Sequence, residues 1–257
     1  MSAAPLSGRG ILIARPRERA AGLAERVRAA GGAPVLFPAI EILPPDDPAT
    51  LARLLENLDA FDLAIFVSPT AAMKAGELVG KREAWPTALR VAAVGAGTAA
   101  ALRRLGFESV VAPEDEADSE ALAALPEMRD MRGKSVVIFR GQGGREWLRE
   151  ELRRRGARVE YAECYRRARP AADVAPLIER WKRGEIDAVS IASAEGLANL
   201  FEMLGPAGEE RLRATPLFVP HPRIAAAAAR LGIREVVVTG RGDEQAVAGM
   251  AAFFAKV

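Results

Sequence analysis

The chain repeats itself at a fixed distance, and no other feature of the sequence constrains the fold as tightly. DLAIFVSPTAAMKAGELVG begins at Asp62 and DAVSIASAEGLANLFEMLG at Asp187. Asp62 and Asp187, Ser68 and Ser193, and Gly80 and Gly205 are each 125 residues apart. Upstream, GRGILIARPRERAAGLAERVRAAGGAPVLF from Gly8 matches GKSVVIFRGQGGREWLREELRRRGARVEY from Gly133, again setting Arg15 against Arg140 and Leu23 against Leu148. Downstream, VAAVGAGTAAALRRLGFESVVA matches PLFVPHPRIAAAAARLGIREVVV at an offset of 126. A register held across three segments predicts two copies of one unit. At 257 residues the chain has room for two domains of roughly 100–150 residues each.

Within each copy the local grammar is α/β. Four times a helical segment ends in Gly, two or three residues pass and a β-branched run follows: Gly32 before Val35, Gly106 before Val110, Gly156 before Val159, Gly232 before Val236. Glycine at a helix C-terminus takes the left-handed cap conformation without a Cβ penalty. The runs after it are short, rich in Val, Ile and Phe and not alternating, as in strands buried on both faces of a parallel sheet. Between them the helices are amphipathic. Ala20, Leu23, Ala24 and Val27 share a face, as do Leu51, Leu54, Leu55 and Leu58, and Leu148 with Leu152. Glu150–Arg154 and Glu151–Arg155 are spaced as i,i+4 ion pairs. The expected fold is a doubly wound, flavodoxin-like parallel sheet in each copy.

Two breaks fall at equivalent points of the repeats, FPAIEILPPDDP from Phe37 and AECYRRARPAAD from Ala162. They read as crossings between domains, so that the first βαβ of each repeat joins the remainder of the other. The expected partition is residues 1–38 with 169–257, residues 45–163, and connecting segments at 39–44 and 164–168.

Half of the residues are hydrophobic, 27% are charged and the mean hydropathy is +0.04, which is a globular composition and not a disordered one. No apolar run approaches the roughly 18–20 residues a membrane span needs. MSAAPLSGRG lacks the basic start and apolar stretch of a secretory signal. Cys164 is the one cysteine and His221 the one histidine, which excludes an intramolecular disulfide and argues against a Cys/His zinc site. The cytoplasm is the expected compartment. Residues 1–128 carry 13 Lys/Arg against 17 Asp/Glu, and residues 129–257 carry 23 against 17. Ten arginines and five acids lie between Arg140 and Arg169, a pattern open to a nucleic-acid binder and to an enzyme with a polyanionic substrate. Arginine outnumbers lysine 31 to 5, which a GC-rich genome alone would produce.

In open α/β sheets ligands bind at the carboxyl ends of the strands. Those turns are Ala14–Arg17, Val67–Thr70, Val94–Thr98, Pro113–Ser119, Phe139–Arg145, Ala192–Glu195, Val219–Arg223 and Thr239–Asp243. Ser68, Thr70, Ser119 and Ser193 carry N-cap chemistry there, and the same hydroxyls and N–H groups could bind carboxylates. RGQGGRE from Arg140 and VGAGT from Val94 lack the spacing of a dinucleotide fingerprint, and no GK[ST] phosphate loop occurs. Arg140 and Arg145, flanking a glycine turn, read as anion clamps. His221, between two prolines, reads as loop scaffolding, and Cys164 as inert. Tyr165 in CYRRAR is either a packing aromatic or an acid, since a phenol with pKa of ~10 keeps its proton at neutral pH.

VSPTAA (Val67–Ala72), VGAGTAAAL (Val94–Leu102), FRGQGGREWL (Phe139–Leu148), the CYRR crossing and SIASAEGLANL (Ser190–Leu200), in this order, resemble the uroporphyrinogen-III synthase family over nearly the whole chain. The resemblance implies two flavodoxin-like (HemD-like) domains with a permuted internal duplication, joined by a two-stranded connector, with the active site in the cleft between them. The implied reaction closes linear hydroxymethylbilane into uroporphyrinogen III, with inversion of ring D through a spiro intermediate and loss of water. It also implies no cofactor, a linear tetrapyrrole with eight carboxylates as substrate, a monomer, no nucleic-acid or membrane partner, and at most transient contact with the upstream enzyme that makes hydroxymethylbilane. The resemblance places the family's best acid candidate, a tyrosine in the second crossing, at Tyr165. Arg15, Ser68, Thr70, Gly95, Thr98, Ser119, Arg140, Gly141, Gly144, Arg145, Ser193, His221 and Arg223 form the expected substrate-binding set. The VPHPRIA loop departs from hydroxyl-bearing versions by placing Arg223 and Ile224 where Thr or Ser can stand. From other classes, a two-lobed small-molecule sensor and a nucleotide-using transferase are the alternatives; the missing phosphate loop argues against the second.

Overall fold

The computed structural model describes residues 4–80, 85–114 and 118–256. In chain order the first elements are β1 (Gly10–Ile13), α1 (Arg17–Ala29), β2 (Ala33–Leu36), β3 (Glu41–Leu43), α2 (Pro48–Glu56), β4 (Leu63–Phe66), α3 (Pro69–Val79), β5 (Arg90–Ala93) and α4 (Ala96–Arg104). Then come α5 (Ser119–Ala124), β6 (Ser135–Gly141), α6 (Trp147–Arg154), β7 (Arg158–Ala168), α7 (Ala175–Lys182) and β8 (Ala188–Ser190). The described chain closes with α8 (Ala194–Ala214), β9 (Leu217–Val219), α9 (Pro222–Arg230), β10 (Val236–Val238) and α10 (Asp243–Phe254). Two compact units result, one from the described residues up to Glu41 and from Ala168 on, the other from Ile42 to Arg167.

The first unit holds a five-stranded sheet in the order β10-β9-β8-β1-β2, with parallel pairing throughout. Leu12 packs into one apolar cluster with Val189, Leu197, Leu200 and Val219, and Ile11 and Ile13 into another with Leu23, Val27, Phe218 and Met250. Successive residues of one strand thus feed opposite clusters, which is why the strands are apolar without a break.

The second unit holds the order β3-β7-β6-β4-β5, with β7, β6, β4 and β5 parallel. Val111 adds an isolated parallel bridge to Ala92 beyond β5. Val137 and Phe139 face one cluster and Val136 and Ile138 the other. In the first of these Phe66 stacks on Phe139 at 4.5 Å between ring centres, and Trp85 meets Phe107 edge-on at 5.2 Å.

The expected helix faces are buried at Ala20, Leu23, Ala24 and Val27 on α1, Leu51 and Leu54 on α2, and Leu148 and Leu152 on α6, while Leu55 is only half-buried and Leu58 is buried beyond the end of α2. Other expectations are corrected. The left-handed glycine after α1 is Gly31, with φ of +85°, and not Gly32; Gly106, Gly156 and Gly232 take positive φ as expected. Arg154 turns to Glu151, which also takes Arg155, so the expected Glu150–Arg154 pair gives way to a shared carboxylate at i,i+3. The segment 164–168, expected as a connector strand, continues β7: Tyr165 still pairs with Gly141 of β6 after a bulge. Its neighbour in the sheet is β3, from the other proline-rich segment.

Two carboxylates pin strand starts in matching ways. Asp62 accepts the Ser135 N–H at 2.8 Å and a hydrogen bond from Lys134 Nζ at 3.1 Å. Asp187 accepts the Gly10 N–H at 2.7 Å and one from Arg9 Nη1 at 3.2 Å. Each joins the residue before β4 or β8 to the first residue of β6 or β1.

Candidate functional site

At the carboxyl end of β6 the chain makes a tight turn through Gln142–Arg145 into α6. Arg140, only 5% exposed, organises that turn from below. Its Nη1 donates to Glu146 at 3.0 Å and its Nε to the Gly141 carbonyl at 3.2 Å, and Nη2 bonds the Gly143 carbonyl. The guanidinium stacks on the Tyr161 ring at 4.3 Å, with Arg149 against the same ring at 4.9 Å. Glu146 closes the cluster by accepting the Tyr161 hydroxyl at 2.9 Å. That hydrogen bond, with the Arg140 guanidinium, holds the Glu146 carboxyl below its usual range, while burial and then the Glu146 carboxylate raise the Tyr161 phenol. Arg140 was expected to clamp a ligand; three of its five N–H donors bind the protein, and through them it shapes the turn.

A cavity of about 200 Å³ opens over this turn, lined by Ser119, Arg140, Gly141, Gly144, Arg145 and Arg167 among others. Gly141 has no room for a side chain, because a Cβ there would lie 2.6 Å from the Tyr165 ring. Gly144 sits at φ of +101°, and its absent Cβ would approach Arg140 Nη2 at 3.0 Å. Arg145 is exposed and pairs with Glu120.

Tyr165 is 2% exposed and packs in the core with Phe66 and Phe139. Its hydroxyl lies 3.2 Å from Ser68 Oγ, and Arg167 Nη2 donates to it at 3.4 Å. The ring is packed as the packing reading expects, and its hydroxyl is a polar tip at the end of β4. Ser68 is the N-cap of α3, accepting the Ala71 N–H at 3.0 Å, with Pro69 at the first helical position. Cys164 is buried beside it, and burial pushes its thiol up to about 12, which makes it inert as expected.

Ser193 caps α8 as Ser68 caps α3, accepting the Gly196 N–H at 3.0 Å. The other two cap expectations are corrected. Thr70 lies inside α3 and is buried, two residues past the cap. Ser119 is the first residue of α5, and Asp118 accepts the Ala121 N–H in its place, a carboxylate being the stronger acceptor. Thr98 is buried within α4, and Gly95 is that helix's N-cap in extended backbone. The rest of the expected set lies at strand ends of the first unit. Arg15 pairs with Asp243 at the start of α10, with its Nε buried and unpartnered. His221 caps α9, Nδ1 accepting the Arg223 N–H at 3.1 Å, and Arg223 is exposed. Part of the Pro113–Ser119 turn lies outside the described residues.

The structure therefore gathers Ser119, Arg140, Gly141, Gly144 and Arg145 around one cavity and sets Tyr165 against Ser68. Sequence reasoning missed Arg167, Glu146 and Tyr161. Arg167 was readable, since i and i+2 share a face of a strand and Tyr165 was already singled out. Among the described residues no group of three or more His, Cys, Asp or Glu side chains could hold a metal ion. No described helix is long and apolar enough to cross a membrane.

Parallel sheets flanked by helices, with hydroxyl, phenol and guanidinium groups at the strand ends, define the class, an α/β protein of parallel sheets. The family model described as Uroporphyrinogen-III synthase HemD matches residues 21–248. The chain is 35% identical to the uroporphyrinogen-III synthase of Salmonella typhimurium over 239 residues, 92% of this chain and 97% of the relative. It is 33% identical to that of Escherichia coli K12 over the same shares of each chain. The solved structure of a mutant uroporphyrinogen III synthase from Thermus thermophilus matches the fold with a TM-score of 0.61 at 22% identity, covering 97% of this chain and 100% of that one. The synthetase structure from Helicobacter pylori 26695 gives 0.60 at 13% identity, covering 95% and 99%. The chain belongs to the uroporphyrinogen-III synthase family.

Proposed function

We propose that the chain converts hydroxymethylbilane into uroporphyrinogen III, closing the macrocycle with inversion of ring D and loss of water, without a cofactor. The observation that carries this reading onto the chain's own residues is the Tyr165–Ser68 contact at a strand carboxyl end, with Arg167 on the phenol. A departing hydroxyl needs a proton, and a phenol at neutral pH holds one. A substrate with eight carboxylates needs donors, and Arg145, Arg223 and the strand-end N–H groups supply them. Unassisted closure gives the symmetric isomer, so the protein's task is to fix the folding of the substrate as much as to assist bond breaking.

The same proposal includes two domains from a permuted duplication, 1–38 with 169–257 and 45–163, joined by connector strands at 39–44 and 164–168. The order β9-β8-β1-β2 beside β5-β4-β6-β7, the paired caps Ser68 and Ser193 and the paired anchors Asp62 and Asp187 support it. A cytoplasmic monomer that meets the upstream enzyme transiently, and binds neither nucleic acid nor membrane, completes the reading. The test is direct: supply hydroxymethylbilane and resolve the uroporphyrinogen isomers. Type III above the spontaneous background is expected, and type I alone would overturn the proposal.

A further inference from the structure

We infer that Ser68 is the group that hands a proton to the substrate, with Tyr165 behind it as the proton's source, in a relay running from Arg167 through Tyr165 to Ser68. This deepens the proposed function and rests on it.

Burial makes the first point. Tyr165 keeps 2% of its surface exposed, and its ring is wedged between the phenylalanine core and Gly141. Ser68 is only partly buried, on the turn that follows β4 and next to Val67, which lines the cavity. Of the two bonded hydroxyls, the serine is the one a substrate atom can reach.

Donor and acceptor counting makes the second. A phenol and an alcohol each carry one hydrogen and two lone pairs. Arg167 can only donate, so its 3.4 Å contact occupies a lone pair of the Tyr165 oxygen and turns the phenolic hydrogen towards Ser68, 3.2 Å away. The Ser68 oxygen accepts the Ala71 N–H as helix cap and accepts the phenol on its other lone pair. Both lone pairs being engaged, the serine hydrogen points away from both partners, free to be donated outward. Every hydrogen bond in the chain then runs in one direction and ends on a donor without an acceptor.

The repeat supplies an internal comparison. Ser193 stands 125 residues on, with the same cap geometry, its φ and ψ of −153° and 154° against −158° and 156° for Ser68. The residue 125 before Tyr165 is Ile40. It lies at Gly196, where an added Cβ would be 3.5 Å from Ile40 Cδ1 and 3.2 Å from Ser193 Oγ. One serine cap thus faces a phenol and the other a hydrocarbon, so only Ser68 has a proton behind it.

In the reaction the C–O bond of the terminal hydroxymethyl group breaks, and its electron pair leaves with oxygen. Ser68 delivers its proton to that oxygen and water departs. Ser68 takes the phenolic proton in turn, leaving a phenolate beside the Arg167 guanidinium. The proton lost from the pyrrole system as the azafulvene forms and the ring closes returns through Ser68 to Tyr165, so substrate becomes product plus water and the protein is unchanged.

The test measures kcat and KM for type III isomer formation, with unfolding midpoints, in Ser68→Asn, Ser68→Thr, Tyr165→Phe and the Ser68→Asn/Tyr165→Phe pair. Asparagine keeps an oxygen for the helix cap but has no hydroxyl to relay; threonine keeps both. Ser68→Asn and Tyr165→Phe should each lower kcat on the order of 100-fold with KM within about threefold, the usual range for a lost general acid. The double variant should fall no further than the worse single one, and Ser68→Thr should recover to within about tenfold of wild type. Multiplying effects in the double variant, or near-wild-type kcat in folded Ser68→Asn, would overturn the relay and leave the proposed function standing. If the unaltered protein makes no type III isomer, it is the proposed function that fails.

Discussion

Replacing Gly141 by alanine tests whether the wall of the turn and the position of the phenol are one mechanical unit. The new methyl carbon would sit 2.6 Å from Cε2 and Cζ of Tyr165 and 3.0 Å from its hydroxyl oxygen. Carbon atoms in contact stay about 3.5–4.0 Å apart, so ring and strand must separate by about 1 Å. Neither yields easily, since Gly141 is the last residue of β6 and Tyr165 is enclosed by the core. Overpacking of this kind costs about 1–3 kcal/mol, which a domain stable by about 5–15 kcal/mol survives folded. The functional loss should be larger, because a misplacement of about 1 Å at a reacting group can cost about 100-fold in rate. The control is Gly133→Ala, at the turn leading into β6, where φ is +70° and an added Cβ meets nothing within 4 Å. It carries backbone strain of about 1–2 kcal/mol without touching Tyr165. Denaturant midpoints and steady-state kinetics on both variants give the answer. Similar loss of stability in the two, with kcat reduced only in Gly141→Ala, is the expected result. Wild-type kcat in Gly141→Ala would refute the reasoning.

Three further outcomes follow from the same geometry. Arg140→Lys removes two of three directed bonds around the turn, so it should destabilise by about 2–3 kcal/mol and raise KM through the loosened turn; an unchanged midpoint and KM would count against the turn's role in binding. Cys164, with its thiol pushed up to about 12, should resist iodoacetamide at pH 8 in the folded protein and react once denatured, which mass spectrometry reads directly; equal rates would show that the β7 core opens. The Ser135 N–H and Lys134 hold Asp62 below the usual carboxylate range, so its contribution to stability is complete above the unfolded pKa and vanishes as pH falls through the folded value. Acid unfolding of Asp62→Asn should accordingly show a shallower loss below about pH 4 than wild type, and parallel curves would contradict this.

What the sequence revealed, and what it hid, follows the range of each interaction. Strands buried on both faces are written in runs such as SVVIF, and helix faces in the spacing of Leu148 and Leu152, because each depends on residues close by in the chain. The caps Ser68 and Ser193 were legible from a single side chain before a helix, but Ser119 was misread because its neighbour Asp118 accepts the same N–H more strongly. Gly31 and Gly32 are adjacent, and local pattern does not say which takes the positive φ. The arginines of CYRRAR made β7 look like a linker, although Cys164 and Tyr165 are buried while Glu163 is half-buried and Arg167 exposed. The Arg140–Glu146–Tyr161 cluster was out of reach, since its members meet across a turn and a neighbouring strand and no periodicity encodes that meeting.

Positions 125 residues apart separate scaffold from chemistry in a way that neither copy does alone. Asp62 and Asp187 hold matching backbone amides and are explained by folding in both places, and Ser68 and Ser193 share the cap of a matching helix start. Where the copies differ, folding does not supply the reason. Arg15 leads directly into the 13-residue α1 and pairs with Asp243, whereas Arg140 is followed by a glycine turn and the 8-residue α6, so the turn occupies what would be the start of the longer helix. Losing a helical turn forfeits backbone hydrogen bonds and the burial of an apolar stripe. The second unit bears that loss and gains a cavity edged by Arg140, Arg145 and Arg167 next to a buried phenol. At Ile40 the apolar choice completes the core, while at Tyr165 a hydroxyl is carried into the same kind of position and must be satisfied by Ser68 and Arg167. A polar group placed where its counterpart shows that hydrocarbon suffices asks for a reason beyond stability, and the proposed relay supplies one in the second unit.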